Sequence, residues 1–282
     1  MTQDQPTGTL RAWTDTAKHW TKHSDTIREM FSPLTDALIA DAGIVQGMSV
    51  LDVAGGAGEP SLTIARKVGP DGSVMCTDAI AEMVEAAQAA ALQQGVTNVE
   101  FRQCAAESLP FSDNSFDATV SRLGAMFFSD PQAASSEMLR VTKPRGTIAL
   151  VVWGKSELNP FSYVVTNILD RHVEPMPVDP DAPGAFRFAE AGKLATILRD
   201  AGAVEVRDRV HKFDIAAPIS PADFWQLRSR VSDSLRTKLE KLSVAEQAQI
   251  AQEVLESVKE FFPDNQMRFP AQMLIATGRK SG

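Results

Sequence analysis

Residues 50–60 read Val-Leu-Asp-Val-Ala-Gly-Gly-Ala-Gly-Glu-Pro, and few backbones accommodate such a stretch. Met48 to Val53 is an apolar run of strand length. Ser61 to Val68 continues as a helix, with Pro60 suited to its first turn. Gly55, Gly56 and Gly58 between them predict a tight turn whose backbone can approach a ligand closely, next to the free N–H groups of a helix start. A Gly-rich connection of no functional consequence looks similar on its own. Asp52, an acid inside the strand end, separates the two readings. A carboxylate repels a pyrophosphate but attracts a free amino group or a sulfonium.

The segments that follow alternate strand and helix, which predicts an α/β fold. Gly72 to Asp78 reads as a second strand ending in an acid, where a carboxylate can accept both hydroxyls of a ribose. Ile80, Met83 and Val84 share the face of a helix that runs to about Gln94, with Gly95 as its stop. Val99 to Gln103 is a third strand, Asp113-Asn114 a turn, and Phe116 to Ser121 a fourth strand. Asp130-Pro131 opens a helix that ends near Lys143-Pro-Arg-Gly146. Thr147 to Trp153, apolar throughout, predicts a fifth strand buried on both faces.

Three motifs in this order, Leu51-Asp-Val-Ala-Gly-Gly-Ala-Gly58, Ala106-Glu-Ser-Leu-Pro-Phe111 and Arg140-Val-Thr-Lys-Pro-Arg-Gly146, resemble those of class I S-adenosylmethionine-dependent methyltransferases. The resemblance is greatest to the ubiquinone/menaquinone-biosynthesis C-methyltransferase type, over residues 45–155. It implies a Rossmann-like seven-stranded sheet with helices on both faces, and S-adenosyl-L-methionine as cofactor. It sets Gly56 and Gly58 against the methionine part, with Asp52 assisting, and Asp78 on the ribose. Ala106 and Glu107 border the adenine, while Ser121 and Arg122 face the methionyl end and the transferred methyl. The chain departs from the family pattern at three places. Ala54 replaces the first glycine of the triplet, Ala105 stands where an Asp or Asn commonly binds the adenine amino group, and Arg145 interrupts the usual Lys-Pro-Gly-Gly turn. Past Trp153 the likeness fades, and the quinone substrate is not carried over.

Composition bounds the reading. Thirty-six acidic against 28 basic residues give a net charge of −8, which argues against a nucleic-acid substrate. Hydrophobic residues make up 44% of 282, enough for one α/β domain with additions. The polar N-terminus carries no signal-like segment and the longest apolar run is too short to span a membrane, so a cytoplasmic protein is expected. Cys76 and Cys104 are expected as free thiols in neighbouring strands. No metal-ligand spacing is visible, and no metal is expected.

Four regions are expected: a helical lid segment over 1–34, a cofactor-binding core over 35–219, an inserted helical cap over 220–262, and the last strand with its tail over 263–282. Trp13, Ala17 and Trp20 fall at helical spacing in the first. Val204 to Asp214 alternates as a sixth strand, and the next strand-like run is Gln272 to Thr277. The helices between them, with apolar positions at Phe224, Trp225, Leu227, Val231, Leu235, Leu239 and Leu242, serve either as a lid over the acceptor or as a homodimer surface. Candidate bases are His19, His23 and His172, with Tyr163, the only tyrosine, beside them, while His211 reads as structural. Met126, Phe127, Phe128, Trp153, Phe161, Phe186, Phe188 and Trp225 are candidates to line an apolar acceptor pocket. The leading reading is methyl transfer to an O or C atom of a hydrophobic or aromatic small molecule. Its rivals are a catalytically silent binding or dimerisation protein, and a nicotinamide-dependent oxidoreductase, which Asp52 and the late strand disfavour.

Overall fold

The computed structural model describes residues 14, 20, 22–173 and 179–282; Trp13, Ala17 and His19 lie outside the described residues. Helix α1 (Ser24–Asp41) leads into β1 (Ser49–Val53), α2 (Ser61–Val68), β2 (Ser73–Asp78), α3 (Ala81–Gln94) and β3 (Val99–Gln103). The chain then crosses back to β4 (Phe116–Arg122), α4 (Pro131–Val141) and β5 (Thr142–Trp153). After α5 (Pro160–Leu169) and α6 (Lys193–Asp200), β6 (Val204–Ala217) is separated from β7 (Met267–Arg279) by α7 (Pro221–Val231), α8 (Asp233–Leu239) and α9 (Val244–Ser257). All seven strands join one sheet in the order β3-β2-β1-β4-β5-β7-β6. The first five run parallel to one another, and β7 is antiparallel to both β5 and β6.

This is the expected Rossmann-like sheet. The central strands are apolar without alternation because helices cover both faces: Val50, Leu51, Val120 and the run from Ile148 to Val152 are all buried. The chain builds outward from β1 to β3, then returns to place β4 on the other side of β1. At that reversal the loops leaving β1 and β4 diverge and open a crevice at the carboxyl ends of the strands.

Two boundaries differ from the sequence reading, each for a physical reason. The limit expected after residue 34 falls inside α1, because Pro33 is accommodated within the helix. Glu29 C=O, deprived of the Pro33 N–H, accepts the Ser32 hydroxyl instead (3.0 Å). Burial of Leu34 and Leu38 against the sheet, worth roughly 1.5–3 kcal/mol each, offsets the proline cost of about 3 kcal/mol. Strand β5 begins at Thr142 rather than Thr147, with Thr142 opposite Phe116 and a register shift before Ala118. Thr142 Oγ1 lies 2.9 Å from Thr119 Oγ1 and donates to Met138 C=O (2.7 Å), so a buried hydroxyl pair holds the early start. Cys76 lies in β2, whereas Cys104 falls one residue past β3; both thiols are free.

Candidate active site

The loop after β1 is built to leave its backbone open. Ala54, Gly56 and Gly58 adopt φ values of +59°, +57° and +109°. Only the alanine resists that region, so Ala54 carries backbone strain that a glycine lacks. A Cβ at Gly56 meets nothing within 4 Å, so its backbone faces free space. Gly56 N–H donates to Asp78 Oδ2 (3.0 Å) and Ile80 N–H to Asp78 Oδ1 (3.0 Å). Asp78 therefore pins the glycine turn to the end of β2 and keeps its remaining lone pairs for a ligand. Burial pushes its carboxyl pKa up, against the opposing effect of those two N–H groups.

Asp52 is fully buried beneath this turn. Its Oδ2 accepts the Ser61 hydroxyl (2.6 Å), while Oδ1 is sealed and has no partner. Desolvation is the main reason its pKa rises to about 7, with Ser61 and Arg122 opposing. On the β4 side, Ser121 is buried with its Oγ unpartnered. A Cβ at Gly124 would lie 2.6 Å from the Ala54 Cβ and 2.7 Å from Ser121 Oγ, so the two diverging loops touch and close the crevice floor. Asp52, Gly56, Gly58, Asp78 and Ser121 are thus gathered at one end of the sheet.

The other sequence candidates are engaged differently. Arg122 donates from Nη1 to Thr35 Oγ1 (2.6 Å) and from Nη2 to Glu59 C=O (3.1 Å), tying β4 to α1 and to the glycine loop. Burial pushes its pKa down, with Glu59 and Asp52 opposing. Glu107 Oε1 accepts Ser129 N–H (2.8 Å) and Asp130 N–H (3.2 Å), so the carboxylate anchors the start of α4. Arg140 donates to Leu109 C=O, Phe111 C=O, Asp113 and Glu137, bracing the second motif with the third. His172 Nε2 lies 3.1 Å from Glu253 Oε1, joining the end of α5 to α9. His23 Nε2 is buried without a partner, and burial, Lys22 and Arg230 hold its pKa below the ordinary value. His211 stacks on Phe213 in β6 (5.4 Å).

Beside the crevice stands an aromatic wall. Trp153, the last residue of β5, stacks on Phe161 of α5 (6.3 Å, 9° between planes) and leans on Phe186 (6.4 Å). Phe31 of α1 meets both Trp153 and Phe161 edge-on (6.1 and 6.5 Å). Met126, Phe128, Trp153, Phe161 and Phe188 are buried, as is Phe31, whereas Phe127, Phe186 and Trp225 are only partly so. Trp20 packs on Ile80 and Met83 beside Ala57, and donates from Nε1 to Val231 C=O (3.3 Å). One side chain therefore bridges the glycine turn and the inserted helices. The sequence reading did not single out Thr35, Ser61 or Arg228. Arg228 was detectable, since it shares a helical face with Phe224 and Val231.

Fold and cradle define a class I methyltransferase architecture. Residues 44–167 match the family described as Methyltransferase domain. The chain is 44% identical over 125 residues to the uncharacterized protein Rv1405c of Mycobacterium tuberculosis, covering 44% of each chain. It is 39% identical over 118 residues to the ubiquinone/menaquinone biosynthesis C-methyltransferase UbiE of Hahella chejuensis, covering 42% of this chain and 47% of that one. The matches thus span less than half the length of these curated relatives. Among solved structures, YcgJ of Bacillus subtilis superposes with a TM-score of 0.55 at 25% identity, over 88% of this chain and 98% of that one. A SAM-dependent methyltransferase from Aquifex aeolicus superposes with a TM-score of 0.53 at 26% identity, over 70% and 91%. The residues present fit S-adenosylmethionine: the open backbone at Gly56 and the orphaned buried oxygens of Asp52 and Ser121 suit a ligand with a cationic amino-acid end.

Proposed function

We propose that the protein transfers a methyl group from S-adenosylmethionine to an O or C atom of a hydrophobic or aromatic small molecule. The observation that carries this reading is the junction of a polar cradle and an aromatic cluster at one end of the sheet. The polar cradle of Asp52, Gly56 and Asp78 lies across α1 and β4 from the wall of Phe31, Trp153 and Phe161. Bound in the cradle, the cofactor supplies a methyl group already activated by its sulfonium. The protein's part is to align the acceptor, exclude water and, for a hydroxyl acceptor, take up a proton.

In this reading Gly56, Gly58 and Asp52 hold the methionine part, Asp78 the ribose, and the backbone of Ala106 and Glu107 the adenine, with Ser121 and Arg122 toward the methionyl end. Trp20 and the α7–α9 helices form a lid over the acceptor, supported by the Trp20 contacts to both cradle and cap. His23, three residues beyond Trp20, is the base: its lowered pKa leaves it neutral near pH 7, and its Nε2 is free to accept. His172, occupied by Glu253, positions the cap instead. Incubation with methyl-deuterated S-adenosylmethionine and a panel of phenols, quinols and small amines tests this. Labelled methyl should appear on a phenol or quinol in step with S-adenosylhomocysteine. Transfer confined to the amines would overturn the acceptor class.

A further inference from the structure

Arg228 points inward from α7. Its guanidinium stands over the Phe161 ring, 4.6 Å from the centroid, and its Nε is sealed from solvent without a hydrogen-bond partner. Arg122 Nε is likewise sealed without a partner, but the charges of Arg122 and Arg140 are answered. Arg122 has Thr35, Glu59 C=O and the nearby Glu59 and Asp52 carboxylates, and Arg140 has Glu137 and Asp113. Among the described residues no carboxylate pairs with Arg228. Burial alone lowers its pKa, to about 10, so it remains charged at neutral pH. Arg228 is half-buried, and a cation–π contact offsets only part of the cost of desolvating its unpaired charge. Held over Phe161, which in turn meets Phe224, the charge has no acid to pair with among the described residues.

The location narrows the use. Phe161, beneath Arg228, stacks on Trp153 at the end of β5, and Trp153 meets Phe186 and Phe31. The cation therefore borders the aromatic cluster that continues to Trp153 at the carboxyl end of β5, the end of the sheet that carries the candidate site. We infer that Arg228 anchors a carboxylate on the methyl acceptor, whose apolar or aromatic body lies against the partly exposed Phe186 beside Trp153. The acceptor class is thus an amphiphilic aromatic or apolar acid rather than a neutral hydrophobe. The inference rests on the methyltransferase reading of the site. A guanidinium suits this task because its planar fork meets both carboxylate oxygens at once, which a lysine cannot reproduce.

Calorimetry of the full-length protein saturated with S-adenosylhomocysteine, titrated with 2-naphthoate and with its neutral counterpart 2-naphthamide, tests the assignment. The acid should bind at least about tenfold more tightly than the amide, the lower end for a charge-assisted hydrogen bond. R228M should abolish that preference while leaving S-adenosylhomocysteine affinity unchanged, and R228K should retain part of it. The parent protein's choice between the two probes needs no variant, so a poorly folding R228M does not blunt the test. Equal affinity for both probes, binding of neither, or a preference that survives in R228M overturns the inference. Failure to bind S-adenosylhomocysteine instead overturns the methyltransferase reading beneath it.

Discussion

Replacing Asp52 with Asn should make the ligand-free protein more stable at alkaline pH, although it removes a side chain assigned to the cofactor. The buried carboxyl titrates near 7 against an ordinary value of 3.8. A folded-state pKa raised above the unfolded one contributes stability that is complete below the unfolded value and lost as pH rises through the folded one. At 1.36 kcal/mol per pH unit the full loss is about 4 kcal/mol, of which roughly 2.5 kcal/mol falls between pH 5 and 8.5. The Asn amide keeps an oxygen for the Ser61 hydroxyl and cannot ionise. Thermal unfolding of parent and Asp52→Asn across that range should therefore give curves that separate with pH, by roughly 5–10 °C at the alkaline end. A cationic amino-acid end favours ionised Asp52. Binding of S-adenosylhomocysteine near pH 6.5 should then release a proton in the parent and none in the variant, measurable by calorimetry in buffers of different ionisation enthalpy. Parallel melting curves from pH 5 to 8.5 would refute the buried, orphaned carboxylate.

Other substitutions separate cofactor, acceptor and scaffold. Asp78→Ala should weaken S-adenosylmethionine binding by about 1.5–3 kcal/mol, and Asp78→Asn by less; it should also loosen the glycine turn, visible as faster amide exchange at Gly56. Arg140→Ala should lower the melting temperature but leave cofactor affinity nearly unchanged, because its partners brace the two loops rather than the cradle. Trp20→Ala should slow acceptor turnover more than it weakens cofactor binding, provided the variant folds; unchanged kinetics with a dimer that dissociates on dilution would turn the cap into an assembly surface. His23→Gln should depress turnover of a hydroxyl acceptor across pH 6–9 while His172→Gln does not, and equal losses in both would remove His23 as the base.

Local pattern made the nucleotide half of the fold readable. Glycine stops, an Asp-Pro helix start and unbroken apolar runs are short-range signals, and α2, β3 and the start of β4 fall where they were expected. Pro33 and Lys143-Pro-Arg-Gly146 misled because long-range burial overrode a local breaker: Leu34 and Leu38 continue α1 through the proline, and the Thr119–Thr142 contact extends β5 into the turn. The same division runs through the site. Asp52, Gly56, Gly58 and Asp78 announce themselves by type and spacing. The engagement of Arg122 with Thr35, 87 positions away, and of Glu107 with the start of α4 leaves no mark in the order of residues. Arg228 lies between these cases, since helical spacing aims it inward but nothing local reveals that no acid among the described residues meets it.

The central claim is that the loop after β1 and the end of β2 form a cradle for S-adenosylmethionine. Direct calorimetric titration of the full-length protein with S-adenosylmethionine and S-adenosylhomocysteine, with NADH in parallel, tests it. Both sulfur ligands should bind with a Kd of about 1–100 μM, equivalent to about −8 to −5.5 kcal/mol, and NADH should give no saturable heat. Absence of heat and of any thermal shift with either sulfur ligand at millimolar concentration would contradict it.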